Sequence, residues 1–135
     1  MQTVEAIRRG VMKQLVLLFV AGGTGSLLRF WCGTAVQRGV GGSFPIGTLV
    51  VNLSGCLIFG LIWGAGESRR WISEETRLIL LSGFVGAFTT FSTFAYETQS
   101  LARDGDWLGA IGSVAVQVIC GVLLVAGGIW VGRLL

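Results

Sequence analysis

Three stretches of this sequence contain no Asp, Glu, Lys or Arg: residues 39–66, 78–96 and 107–132, runs of 28, 19 and 26 residues. About 20 mostly apolar residues are enough to cross a bilayer as a helix. A fourth apolar stretch, residues 14–36, carries a single charge, Arg29. Only 13% of the 135 residues are charged, whereas a soluble domain has about 25% and needs them on its surface. With a hydrophobic share of 53%, a disordered chain is excluded as well. The expected architecture is an all-α integral membrane protein with one domain, residues 1–135. Its four transmembrane helices fall at about 14–36, 46–66, 78–100 and 107–131. Little chain remains outside them, so function must reside within the membrane region.

Other function classes are excluded by what is missing. The ten Lys and Arg flank apolar runs and form no basic face, which argues against nucleic acid as a partner. There is no His, no CxxC, and no Ser–Lys or Asp pair within the spans, so an intramembrane enzyme has neither base nor metal set. Cys32, Cys56 and Cys120 each lie in an apolar run and read as small buried hydrophobes. Arg8, Arg9 and Lys13 resemble the start of a signal peptide, but the apolar stretch behind them outruns the usual 7–15 residues. It is expected to be a retained first helix. Met12 offers a second translation start, which would make the first eleven residues dispensable.

An even number of spans puts both termini on one side. That side collects Arg8, Arg9, Lys13, Arg69, Arg70, Arg77 and Arg133, seven against Arg38 and Arg103 opposite. The excess predicts cytoplasmic termini. Small residues recur four apart: Gly22/Ser26, Gly60/Gly64, Gly83/Ala87 and Gly128/Gly132. Such pairs let helix backbones approach closely, and the spacing suits packing within one chain as well as packing between copies.

The polar residues inside the spans carry the chemistry. The third span reads Gly83-Phe-Val-Gly86-Ala-Phe88-Thr89-Thr90-Phe91-Ser92-Thr93-Phe94, with four hydroxyls in five positions. Gly and β-branched residues both weaken a helix, so the segment is either a Gly/Thr-rich packing helix or a helix interrupted near residues 86–90. Non-helical backbone at that depth must be buried in protein or line a cavity, and its freed carbonyls are able to coordinate a cation. Phe91 and Phe94 share a face if the segment is helical. Phe rings are usually core or lipid-facing, but their electropositive edges also suit an anion. Asn52, one turn after Thr48 on the same face of the second span, is either interhelical glue or an amide donor to an anion. Arg29 and Glu97 are the ionisable groups within the spans, both toward their ends. Arg29 snorkels or faces a path; Glu97 caps or pairs at a cavity mouth.

The string Gly86-Ala-Phe-Thr-Thr-Phe-Ser-Thr-Phe94 followed by Glu97 resembles the third-helix signature of the Fluc fluoride channels, the CrcB family. Gly25-Ser-Leu-Leu-Arg29 and Gly47-Thr-Leu-Val-Val-Asn52-Leu-Ser-Gly55 continue the resemblance, which covers nearly the whole chain. It implies an antiparallel dual-topology dimer, in a bacterial cytoplasmic (inner) membrane, that conducts fluoride passively and so lowers cytoplasmic fluoride. Two pores would lie at the subunit interface, lined by Phe91 and Phe94. Asn52 would supply an amide, Ser92, Thr93 and Thr48 nearby hydroxyls, and Arg29 would attract anions to the vestibule. Carbonyls of Gly86 and Thr89 from both subunits would hold a central structural Na⁺ that is not transported.

Some positions depart from that pattern. Ala87 and Ala95 stand where Gly and Ser are usual, and Gly121 and Val125 stand where the fourth helix commonly offers hydroxyls. The missing hydroxyls slow conduction or move an ion site toward Gln117. The seven-to-two loop bias also fits an inverted homodimer poorly and suggests an oppositely biased homologue as the partner. The competing function is a small dual-topology, proton-coupled drug exporter, which needs a membrane-embedded carboxylate; the first span has no acid, and Glu97 lies late in the third.

Overall fold

The computed structural model describes residues 1–68 and 72–135, and its regular structure is entirely helical. Arg69 and Arg70, two of the seven charges counted above, lie outside the described residues. Helix α1 (Gln2–Val40) begins a dozen residues before the expected start near 14. Those residues contain no Pro, and once an apolar span has nucleated a helix each further turn costs little; an Arg9–Glu5 pair at 2.9 Å accompanies the extension. At 1.5 Å per residue α1 is about 58 Å long, so it outruns a hydrocarbon core of about 30 Å. It ends at Gly41, whose N–H still reaches the Gln37 carbonyl at 2.9 Å and whose φ of 72° turns the chain out of the helix. Pro45 then leads into α2 (Ile46–Ser68).

The third span is built from pieces: α3 (Glu74–Leu78), a π-helical stretch (Ile79–Val85), α4 (Gly86–Phe88) and α5 (Phe91–Arg103). It is therefore longer than the expected 78–100, and it is interrupted within the expected residues 86–90. Thr89 and Thr90 between α4 and α5 are extended, with ψ of 160° and 109°. A tight turn at Gly105 leads to α6 (Trp107–Gly132), whose first turn is capped by Asp106 accepting from the Gly109 N–H at 2.9 Å. Four helical segments are thus long and apolar enough to cross a membrane.

Packing within the chain is dominated by α2 against α6, with α1 against the π-helical stretch and α4, and α5 against α6. The α2–α6 seam is made of glycine. A β-carbon on Gly60 would lie 3.0 Å from the Gly128 Cα, and one on Gly132 would lie 3.1 Å from the Gly64 Cα. Two of the four-residue small pairs therefore face each other across one subunit. Large apolar side chains point outward: Phe19 is 83%, Leu108 85% and Trp130 66% exposed. That distribution suits lipid as the surrounding solvent. Arg133 pairs with Glu67 at 2.8 Å, and Arg77 lies 4.7 Å from the centre of the Trp63 ring; both contacts sit at the end of the bundle that holds the C-terminus and the connector between α2 and α3. We expect Gly128→Val to wedge α2 from α6 and to lower stability by about 1–3 kcal/mol, read as an earlier unfolding transition of the purified protein in detergent.

Candidate ion pathway at the helix break

An interrupted helix orphans backbone groups, and in lipid these must find partners inside the protein. In an unbroken helix the Thr90 N–H would bond to the Gly86 carbonyl. Here it donates to Asn52 Oδ1 at 2.8 Å, and Asn52 Nδ2 donates back to the Thr90 carbonyl at 3.1 Å. One side-chain amide on α2 therefore clasps the backbone of the break from both sides. Thr90 also caps α5: its Oγ1 accepts from the Thr93 N–H at 3.3 Å and donates to Thr93 Oγ1 at 2.8 Å. The helix restarts because Thr90 supplies the acceptor that its first turn lacks.

The break leaves carbonyls without their helical donors, those of Gly86 and Thr89 among them. Gly86 loses the Thr90 N–H to Asn52, and Thr89 loses the Thr93 N–H to the Thr90 hydroxyl. The Thr89 hydroxyl is turned back to the Val85 carbonyl at 3.1 Å. Gly86 is exposed and Thr89 half-buried.

The amide of Asn52 reaches one further group. Its Nδ2 donates to Gln117 Oε1 at 2.7 Å, and Gln117 Nε2 donates to Ser113 Oγ at 3.3 Å. Ser113 and Gln117 are one turn apart on α6, and Ser113 is 1% exposed. A chain of uncharged polar groups thus runs from the break across α2 to α6. Asn52 is interhelical glue here, and both of its N–H groups are engaged.

Phe91 and Phe94 meet edge to face, with ring centres 5.6 Å apart and planes at 65°. Phe94 is buried, but Phe91 is 78% exposed, and Ser92 and Thr93 beside it are exposed too. Thr48 donates to Glu97 Oε1 at 2.9 Å, which joins α2 to α5 one turn from the Asn52 clasp. Among the described residues Glu97 Oε2 and Thr98 Oγ1 are buried without a partner. Arg29, Thr48, Thr90, Thr93 and Glu97 line an open cavity of about 930 Å³ beside the turns at the Arg38 and Asp104 end. Arg29 therefore faces a vestibule.

Among the expected site residues, the structure brings together Asn52 with the break, Thr48 with Glu97, and Phe91 with Phe94. Gly121 packs 3.4 Å from Cys56 Sγ, measured from a β-carbon built on the glycine, and takes no part in the polar chain. Thr90 was not singled out from sequence, although it bonds to Asn52, Ser92 and Thr93. A hydroxyl three residues before a second hydroxyl, at the point where a helix resumes, is the signal for such a cap.

Comparison with known proteins decides the lineage. Residues 16–129 match the family described as CrcB-like protein, Camphor Resistance (CrcB). The chain belongs to the CrcB family. It is 46% identical over 123 residues to the fluoride-specific ion channel FluC of Nitratidesulfovibrio vulgaris (strain DSM 19637 / Miyazaki F), covering 91% of this chain and 99% of that one. A protein of the same name from Solidesulfovibrio magneticus is 41% identical over 125 residues, with 93% and 100% covered. Another from Nitrosococcus oceani is 46% identical over 112 residues, with 80% and 90% covered. We expect Thr90→Val to cost about 1 kcal/mol of stability through the lost cap and to speed hydrogen exchange at the Thr93 amide, while Thr90→Ser preserves both.

Proposed function

We propose that this CrcB protein is a fluoride channel, conducting the ion passively across the bacterial cytoplasmic membrane and so limiting its build-up in the cell. The observation that carries the reading is the break at Thr89–Thr90, held by Asn52, with Thr48, Thr90 and Thr93 lining the same cavity as Arg29. The related proteins bear the name of fluoride-specific ion channels, and the chain covers them almost end to end. Arg29 raises the anion concentration at the mouth by its field. Beyond it, donors of fixed position replace the hydration shell of a small anion, with Thr48, Asn52, Ser92 and Thr93 supplying polar groups and the edges of Phe91 and Phe94 supplying positive potential.

The working unit in this reading is a pair of subunits in antiparallel orientation. Its support is the exposed patch at the break: hydroxyls and a freed carbonyl are poor neighbours for lipid, and a second copy placed over Gly86, Phe91, Ser92 and Thr93 removes them from it. A structural Na⁺ suits the centre of that pair. The Gly86 and Thr89 carbonyls, freed of their helical donors, are the oxygen ligands such an ion takes. The loop bias of seven against two favours an oppositely biased homologue over a second identical chain. Cysteine labelling of intact cells expressing this chain alone separates the two: a single orientation supports the homologue, and both orientations support the homodimer. Export of cationic drugs is not favoured, because the embedded acid it needs is represented only by Glu97, which is bonded to Thr48 in the vestibule.

Purified protein in liposomes is expected to release fluoride and not chloride, as followed with an ion-selective electrode. Asn52→Asp, which adds a charge and cannot donate to Thr90 or Gln117, should slow release on the order of 100-fold, the equivalent of two lost hydrogen bonds. Phe91→Ile should reduce release while the protein elutes as a single species. Well-formed vesicles that retain fluoride would overturn the assignment. Replacing Na⁺ throughout with a bulky organic cation should impair release if the carbonyl site operates.

A further inference from the structure

The fluoride-channel reading asks Asn52 to offer an N–H to the ion, yet both of its N–H groups are occupied. One goes to the Thr90 carbonyl at 3.1 Å and the other to Gln117 Oε1 at 2.7 Å. Releasing Thr90 would orphan backbone at membrane depth. Releasing Gln117 breaks only a bond between two side chains. Gln117 is therefore the partner that can yield.

Its chemistry suits more than release. The last torsion of a Gln side chain is broad and nearly two-fold, so the amide can turn over and exchange its oxygen and nitrogen in place. Ser113 stays bonded either way, because a hydroxyl accepts from Nε2 in the arrangement seen here, at 3.3 Å, and donates to Oε1 in the reversed one. After reversal the NH₂ groups of Asn52 and Gln117 face each other with no acceptor between them. An anion placed between them accepts from both.

We propose that Gln117 turns its amide over to bind the permeating anion jointly with Asn52, and that the Asn52–Gln117 hydrogen bond is the anion-free resting state. This rests on the fluoride-channel reading. It makes Gln117 a ligand of the ion, supplied by α6 one turn before Gly121. A small anion that accepts strong hydrogen bonds is favoured, because the gap closes around it from two sides and stays charge-neutral without it.

The test is fluoride release from liposomes as a function of fluoride concentration, measured first on the unaltered chain. If the unaltered chain releases none, the channel reading itself fails. Given release, Gln117→Met, which keeps the length but removes donor and acceptor, should raise the half-saturating concentration at least about tenfold, the loss of one N–H bond to an anion. Gln117→Glu, which has the same shape and can still accept from Asn52, should raise it too, and serves if the Met variant does not fold. In ¹⁵N-glutamine-labelled protein the Gln117 side-chain NH₂ resonance should move with added fluoride and saturate at the same concentration. A half-saturating concentration within about twofold of the parent in the folded variant, even with a lower maximal rate, would make Gln117 only a brace for Asn52 and overturn the proposal. A stationary NH₂ resonance would overturn it as well.

Discussion

Everything distinctive in this chain depends on one rule of the bilayer: backbone polar groups at membrane depth must be satisfied by protein. The extended pair Thr89–Thr90 violates helical regularity in the middle of a span, and Asn52 makes that violation tolerable. A single amide takes the N–H of Thr90 and returns a donor to its carbonyl, as a neighbouring strand would. The Thr90 hydroxyl then starts the next helix. Without both devices the third span would be expected to close into a regular helix, and the freed carbonyls of Gly86 and Thr89 would vanish.

The surrounding bundle serves this arrangement. The glycine seam between α2 and α6 brings Asn52 and Gln117 into hydrogen-bond range, and α5 packs on α6 to keep the break against them. The cavity with Arg29 lies on one side of the clasp, and in the proposed pathway formal charge stands at the mouth and neutral dipoles further in. This ordering has a physical basis. A full positive charge beside a bound small anion would hold it too firmly for passage, whereas dipoles from several helices can share it.

Much of this was legible in the sequence. Three charge-free runs and a fourth with a single Arg specified four spans, and the Gly and Thr content of residues 83–93 located the weak point of the third. What the sequence left open was pairing. Asn52 as glue and Asn52 as donor have the same sequence signature, and only its distances to Thr90 and Gln117 show where its hydrogen atoms go. Thr90 was hidden as one of four clustered hydroxyls, because the role of a cap depends on where the helix restarts. The start of α1 was misplaced for another reason: apolar composition marks the membrane boundary, whereas a helix is free to continue past it through Arg8, Arg9 and Lys13. The small-residue pairs could have served either interface, and the closeness of Gly60 to Gly128 and of Gly64 to Gly132 decided for packing within the subunit.

The glycine seam also sets a tolerance. Gly60 lies eight positions after Asn52 on α2, about 12 Å along a straight helix. Two helices touching backbone to backbone at one end behave like the blades of shears closed on a pin, and the opening farther along is set by how tightly the pin is seated. On this view the width between the two amides is gauged at a distance by residues with no side chain, and a single methyl added at the pivot would be felt in the size of ion the far end can grip.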